Sequence, residues 1–124
     1  MQELIIETAD QQTAYAPGER ISGTVRWTLN SRARRIELRV FWYTSGNGDL
    51  DTGVVDQLKI DAPADSDHRL FEFTLPAGPY SCHGRQVSVK WALELIAEPG
   101  DRAQRLELIV GPAGKAIDLY GGQQ

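Results

Sequence analysis

A period of two runs through the longest apolar stretches of this 124-residue chain, and it decides the fold class before any motif is read. Ile21, Gly23, Val25, Trp27 and Leu29 alternate with Arg20, Ser22, Thr24, Arg26 and Thr28. Ile36, Leu38, Val40 and Trp42 alternate with Glu37, Arg39, Phe41 and Tyr43; Phe71, Phe73 and Leu75 with Glu72 and Thr74; Val87, Val89, Trp91, Leu93 and Leu95 with Ser88, Lys90, Ala92 and Glu94. Successive side chains of an extended backbone point to opposite faces, so each run is a strand with one dry face and one mostly wet one. Shorter candidates are Leu4 to Thr8, Val54 to Ile60, Leu106 to Val110 and Ala116 to Tyr120. Turn chemistry separates the runs at Pro17-Gly18, Asn47-Gly48, Pro63, Pro76 to Pro79, Pro99-Gly100 and Gly111-Pro112, and no helix-period segment of useful length occurs. Seven or eight such strands bury their apolar faces most simply in an all-β, two-layer antiparallel sandwich, with Trp27, Trp42 and Trp91 inside.

The length suits one globular domain, expected to span residues 1–124, with 41% hydrophobic and 24% charged residues. Cys82 is the only cysteine, which excludes an internal disulfide framework and makes a reducing cytoplasm the expected compartment. A formal charge of -4 argues against a nucleic-acid binder that neutralises phosphates. No basic region followed by an apolar run opens the chain, and no stretch approaches the roughly 20 apolar residues of a membrane helix. Residues 62–68 read as a polar loop and residues 121–124 as a frayed tail.

Two segments together resemble the arrestin-type, immunoglobulin-like β-sandwich. The first is Tyr15-Ala16-Pro17-Gly18-Glu19-Arg20-Ile21-Ser22-Gly23-Thr24-Val25, similar to the Pro-Gly-Glu turn and following strand near the start of an arrestin domain. Proline fixes φ at the first turn position, Gly18 permits the positive φ that follows, and Gly23 lets a strand bend or a neighbour approach. The second comprises Phe71 to Pro76, Pro79-Tyr80-Ser81-Cys82-His83-Gly84 and Val87 to Trp91, which resembles the family's strand, Pro-Ser-containing loop and long crossing strand. The resemblance spans about residues 2–111, leaving 112–124 as an extension. It implies a non-enzymatic protein-binding or scaffolding module without a cofactor. Arrestins proper carry two sandwiches and this chain has room for one, so mechanisms at a two-domain interface do not carry over unless the protein dimerises.

Chemistry-bearing motifs are sparse. Asp51-Thr52-Gly53 matches the tripeptide of aspartic proteases, in which two aspartates share one proton across a dimer, but the hairpin signal Asn47-Gly48-Asp49-Leu50 precedes it where an apolar strand should stand. Asn47, Asp49 and Asp51 alternate as calcium ligands do, without the closing glutamate of a calcium loop; Asp61, Asp65 and Asp67 form a second acidic loop. Cys82 and His83 are adjacent and point apart, which suits neither zinc nor thiol catalysis, and His68 is the only other soft ligand. Gly111 to Ala116 lacks the glycine spacing and the following hydroxyl of a phosphate loop.

Surface features favour binding. Arg32, Arg34 and Arg35 form the one basic cluster, either a solvated turn or a docking point for an acidic partner. Phe41 and Tyr43 fall on the polar face of their strand, so either a loop covers them or they form an exposed apolar interface. Glu37, Arg39, Lys90 and Glu94 are placed to pair across strands on that surface. The expected function is binding of another protein, or of a second copy, with open sheet edges as one route. The alternatives are a dimeric aspartic protease using Asp51 and a calcium-assisted ligand-binding sandwich.

Overall fold

Backbone pairing gathers the alternating runs into two sheets whose apolar faces meet. A computed structural model describes residues 2–46, 51–84, 87–99 and 102–118. Its strands are β1 (Glu3–Thr8), β2 (Ala14–Tyr15), β3 (Arg20–Thr28), β4 (Arg35–Gly46), β5 (Thr52–Asp61), β6 (Ser66–Thr74), β7 (Cys82–His83), β8 (Val87–Glu98), β9 (Arg102–Val110) and β10 (Ile117–Asp118). One sheet has the order β1-β3-β6. The other runs β10-β7-β8-β4-β5, with β9 also on β8. The long pairings are antiparallel; two short ones, β2 with β9 and β10 with β7, are parallel.

Most strands outrun their apolar stretches, because backbone pairing continues where side chains have turned polar. The start of β6 is the clearest case: residues 66–68, expected in a loop, pair with Arg26, Trp27 and Thr28. At the chain's end Ile117 and Asp118 of the expected 116–120 strand are paired, and residues 119–124 lie outside the described residues, as do Asn47 to Leu50.

Inward residues of both sheets make one core. Ile21, Val25, Trp27, Phe71 and Phe73 face Ile36, Leu38, Val40, Trp91, Leu93 and Leu95, all buried. Trp42 differs from Trp27 and Trp91: it is half-buried and lies against the core's margin. Its indole covers Gly53 so closely that a Cβ there would meet the ring at 2.4 Å. The glycine of the Asp51-Thr52-Gly53 tripeptide is therefore required by packing. Among the described residues no helix is long and apolar enough to cross a membrane.

The Pro-Gly-Glu turn has a second function in the fold. Gly18 takes φ +82, as its turn position demands, and its N–H donates to the Pro76 carbonyl. Glu19 then folds back, its carboxylate accepting from the Ala16 N–H at 2.8 Å and the Gln12 amide at 3.0 Å. Those two hydrogen bonds hold the Glu19 carboxyl below its ordinary value, the Ala16 bond most strongly. Nearby, burial pushes the Tyr15 phenol up, and its hydroxyl donates to the Gln12 carbonyl at 2.7 Å. Gly23 is the other backbone constraint: β1 crosses so near that a Cβ would lie 2.1 Å from the Glu7 carbonyl oxygen.

Gly23→Ala must push β1 off β3, and we expect a loss of about 2–3 kcal/mol, read as a fall in melting temperature on the order of 10 °C. Glu19→Ala removes the acceptor for two donors and should cost about 1 kcal/mol at neutral pH. Because the folded-state pKa of Glu19 is depressed, its contribution is present above the ordinary carboxylate range and lost as pH falls through the folded value. The difference in melting temperature between wild type and variant should accordingly shrink on acidification; a difference that widens would contradict this account.

Candidate functional site

The loops at one end of the sandwich are tied to the core and to each other. Buried Trp27 carries one N–H that must find an acceptor, and it donates to the Ala64 carbonyl at 2.8 Å. The Leu29 N–H donates to the Asp65 carbonyl, the Ala62 N–H to the Arg34 carbonyl, and the Arg34 N–H to the Glu98 carbonyl. Three connections, between β3 and β4, β5 and β6, and β8 and β9, are thereby stitched into one rim. Ala62 sits at φ 47, in the left-handed region that non-glycine residues seldom occupy.

This rim encloses a groove of about 830 Å³ lined by Arg32, Arg34, Pro63, Ala64, Asp65 and Pro99, with buried Ala33 at its floor. The volume lies in the range of sites that hold a small molecule or a few residues of peptide. Both arginines that flank buried Ala33 are exposed. Neither forms an ion pair or side-chain hydrogen bond among the described residues. Arg35, by contrast, is neutralised by Asp61 at 3.0 Å. Arg102 closes the rim by donating to the carbonyls of Ser31 and Pro99 and to the Gln2 amide oxygen, all neutral acceptors. Among the described residues, three guanidinium groups without a carboxylate partner thus stand at this end, and Asp65 is the one carboxylate that lines the groove.

The basic cluster divides accordingly. Arg32 and Arg34 reach the groove, while Arg35 is committed to Asp61 across β4 and β5.

The aromatic pair lies elsewhere, on the outer face of β4, and is not an exposed patch. Phe41 is buried, 5% exposed, and Tyr43 is half-buried. What covers them is not a loop but the guanidinium of Arg105 on β9, 5.1 Å from each ring centroid and 3.3 Å from Glu94. On the same face Glu37, only 3% exposed, accepts from Arg39 at 2.6 Å, which holds the Arg39 proton more firmly still. Glu37 and Arg39 pair along one strand rather than across two, and Glu94 pairs with Arg105, while Lys90 makes no ion pair among the described residues.

The remaining motifs do not converge. Asp51 is exposed at the base of the β4–β5 hairpin, where its N–H donates to the Thr44 hydroxyl at 2.7 Å and its carbonyl accepts from the Thr44 N–H. These bonds tie the end of β4 to the start of β5. Asn47 and Asp49 lie outside the described residues, and among the described residues no group of three or more His, Cys, Asp or Glu could hold a metal. Cys82 is half-buried and His83 exposed on opposite faces of β7, and Ser81 just before them is buried, accepting from the Val110 N–H through its hydroxyl at 2.9 Å.

No family model matches the chain, and no curated protein matches it. Among solved structures it is similar to Spo0M, a sporulation control protein of Bacillus subtilis, with a TM-score of 0.58 and 21% identity. The match covers 90% of this chain and 49% of that one, so the chain spans about half the length of Spo0M. The fold is the arrestin-like β-sandwich.

The groove depends on the indole anchor. Trp27→Phe keeps an aromatic in the core but frees the Ala64 carbonyl, and we expect a loss of about 1–2 kcal/mol together with faster hydrogen exchange in the segment 62–65. Unchanged exchange there would show that the other rim bonds suffice.

Proposed function

We propose that this chain is a non-enzymatic regulatory module that captures an acidic, extended segment of a partner protein in the groove between Arg32 and Arg34. The observation that carries the reading is a pair of exposed guanidinium groups, without an ion-pair partner among the described residues, flanking a small-residue apolar trough on a hydrogen-bonded rim. Guanidinium groups take carboxylates bidentately, and the alanine and proline walls accept small apolar side chains between them. On the outer face of β4, β8 and β9 the pairs Glu37–Arg39 and Glu94–Arg105 are already made, so an anion gains more from the arginines at this end. The arrestin-like fold supports the reading, since it offers loops and sheet edges for recognition around a filled interior. A reducing cytoplasm suits the half-buried free thiol of Cys82.

The test is fluorescence anisotropy with a labelled peptide of about eight residues alternating glutamate and valine, against the same peptide with lysine for glutamate. Wild type should bind the acidic peptide, more weakly as salt rises. The double variant Arg32→Glu, Arg34→Glu should lose about tenfold or more in affinity, with the melting temperature unchanged because both side chains are exposed. Equal binding of the two peptides, or an unaffected double variant, would overturn the proposal.

A further inference from the structure

Strand β6 forms one edge of its sheet: its nine residues pair with β3 on one side, and among the described residues nothing pairs with the other. Residues 66–70 are exposed on both faces, and Leu70, 75% exposed, is the most exposed large apolar side chain among the described residues. Natural edges are blunted by proline, lysine, a bulge or inward-pointing charges, and of these β6 has only the charges. Its inward-phase charges, Asp67 and Arg69, restrict how it can pair without preventing it.

We infer that β6 pairs antiparallel with β6 of a second copy about a twofold axis through Leu70. Faces stay aligned across such an axis only if residues of the same phase oppose one another, so the allowed registers move in steps of two. With Leu70 on the axis, all nine residues pair. Leu70 meets Leu70 of the second copy, His68 lies opposite Glu72, and Ser66 opposite Thr74. On the other face Arg69 lies opposite Phe71, a cation beside a ring, and Asp67 opposite Phe73, the one mismatch of this register.

The neighbouring registers are worse for stated reasons. Centring on Arg69 sets two guanidinium groups directly against each other and places His68 opposite Leu70. Centring on Phe71 sets Leu70 against the carboxylate of Glu72. Each also pairs two residues fewer. The edge is therefore complementary to itself in charge and in apolar contact, in one register more than in either neighbour. A single strand pair is small for an interface, so the dimer is reversible and depends on concentration.

The connection carrying Ala64 and Asp65 enters β6 directly, so the twofold places the two grooves at opposite ends of the shared ladder. With nine residues at 3.3–3.4 Å each, that separation is roughly 30 Å. The dimer becomes a two-site receptor for acidic segments. This last consequence rests on the groove reading; the dimer itself does not.

Light scattering coupled to size exclusion, over a micromolar to millimolar concentration series, should show the mass rising toward twice 13.8 kDa. Leu70→Arg brings two cations to the axis and should raise the dissociation constant at least about tenfold. His68→Glu and Glu72→Arg should each weaken the dimer, and the double variant, which exchanges the two partners, should restore it. Glu72 and its partner Arg20, 3.6 Å apart, are both more than half exposed, so the monomer fold should tolerate these changes, as melting temperatures will verify. A monomer throughout the series overturns the inference and leaves peptide binding to be judged separately. A dimer that ignores Leu70→Arg, or singles the double variant fails to rescue, places the interface elsewhere.

Discussion

Two buried indole N–H groups organise this sandwich. Trp27 and Trp91 supply much of the core's bulk, yet each brings a donor that cannot remain unpaired inside it. Trp27 reaches the Ala64 carbonyl and Trp91 the Pro79 carbonyl at 2.9 Å, so each side chain that fills the interior also fastens a loop that leaves it. Burial and loop placement are thus one event: the hydrophobic term that closes the sheets also positions the groove rim beside Ala64. The third tryptophan, Trp42, sits at the core's margin and presses on Gly53.

The fold was legible because its signal is periodic and local. Alternation around Val25, Leu38 and Leu93 needed no knowledge of what lay opposite, and the paired sheets follow from the need to bury one face per strand. The Pro-Gly-Glu turn was legible for the same reason, since Gly18 at φ +82 expresses a local rule. Gly23 was half legible: a close approach could be expected, but not that Glu7 makes it. The start of β6 was illegible because Asp67 and Arg69 occupy the phase in which Phe71 and Phe73 point inward, and charges in that phase read as loop.

The candidate site was legible in residues and not in geometry. Arg32, Arg34 and Arg35 stand out in sequence as a cluster, yet only long-range pairing shows that Asp61 claims Arg35 and leaves the other two at a groove built from three connections. What covers Phe41 and Tyr43 was hidden for the same reason. Alternation correctly set both on the outer face, but Arg105, more than sixty positions along the chain, covers them. Its signal was present in the period of β9, where Leu106 and Leu108 face inward and Arg105 and Glu107 must face out. An aromatic on a wet face should therefore be read with the cations that neighbouring strands place on the same face.

Charge disposition separates the surfaces of this molecule more sharply than hydrophobicity does. On the outer face of β4, β8 and β9, buried Glu37 and the aromatic pair each come with a guanidinium of their own, so an incoming partner would have to displace a satisfied contact before making a new one. At the groove the cations are exposed and the backbone beneath them is held by hydrogen bonds between the connections, so an anion displaces only water and orders little protein. Edge β6 falls between these cases: its backbone groups are solvated, but its side chains restrict which strand can add to it. Groove and edge share the segment 62–65, fastened by Trp27 on one side and continuing into β6 on the other. Under the two proposals a change in how that segment is held alters recognition and self-pairing together, although the two surfaces have no side chain in common.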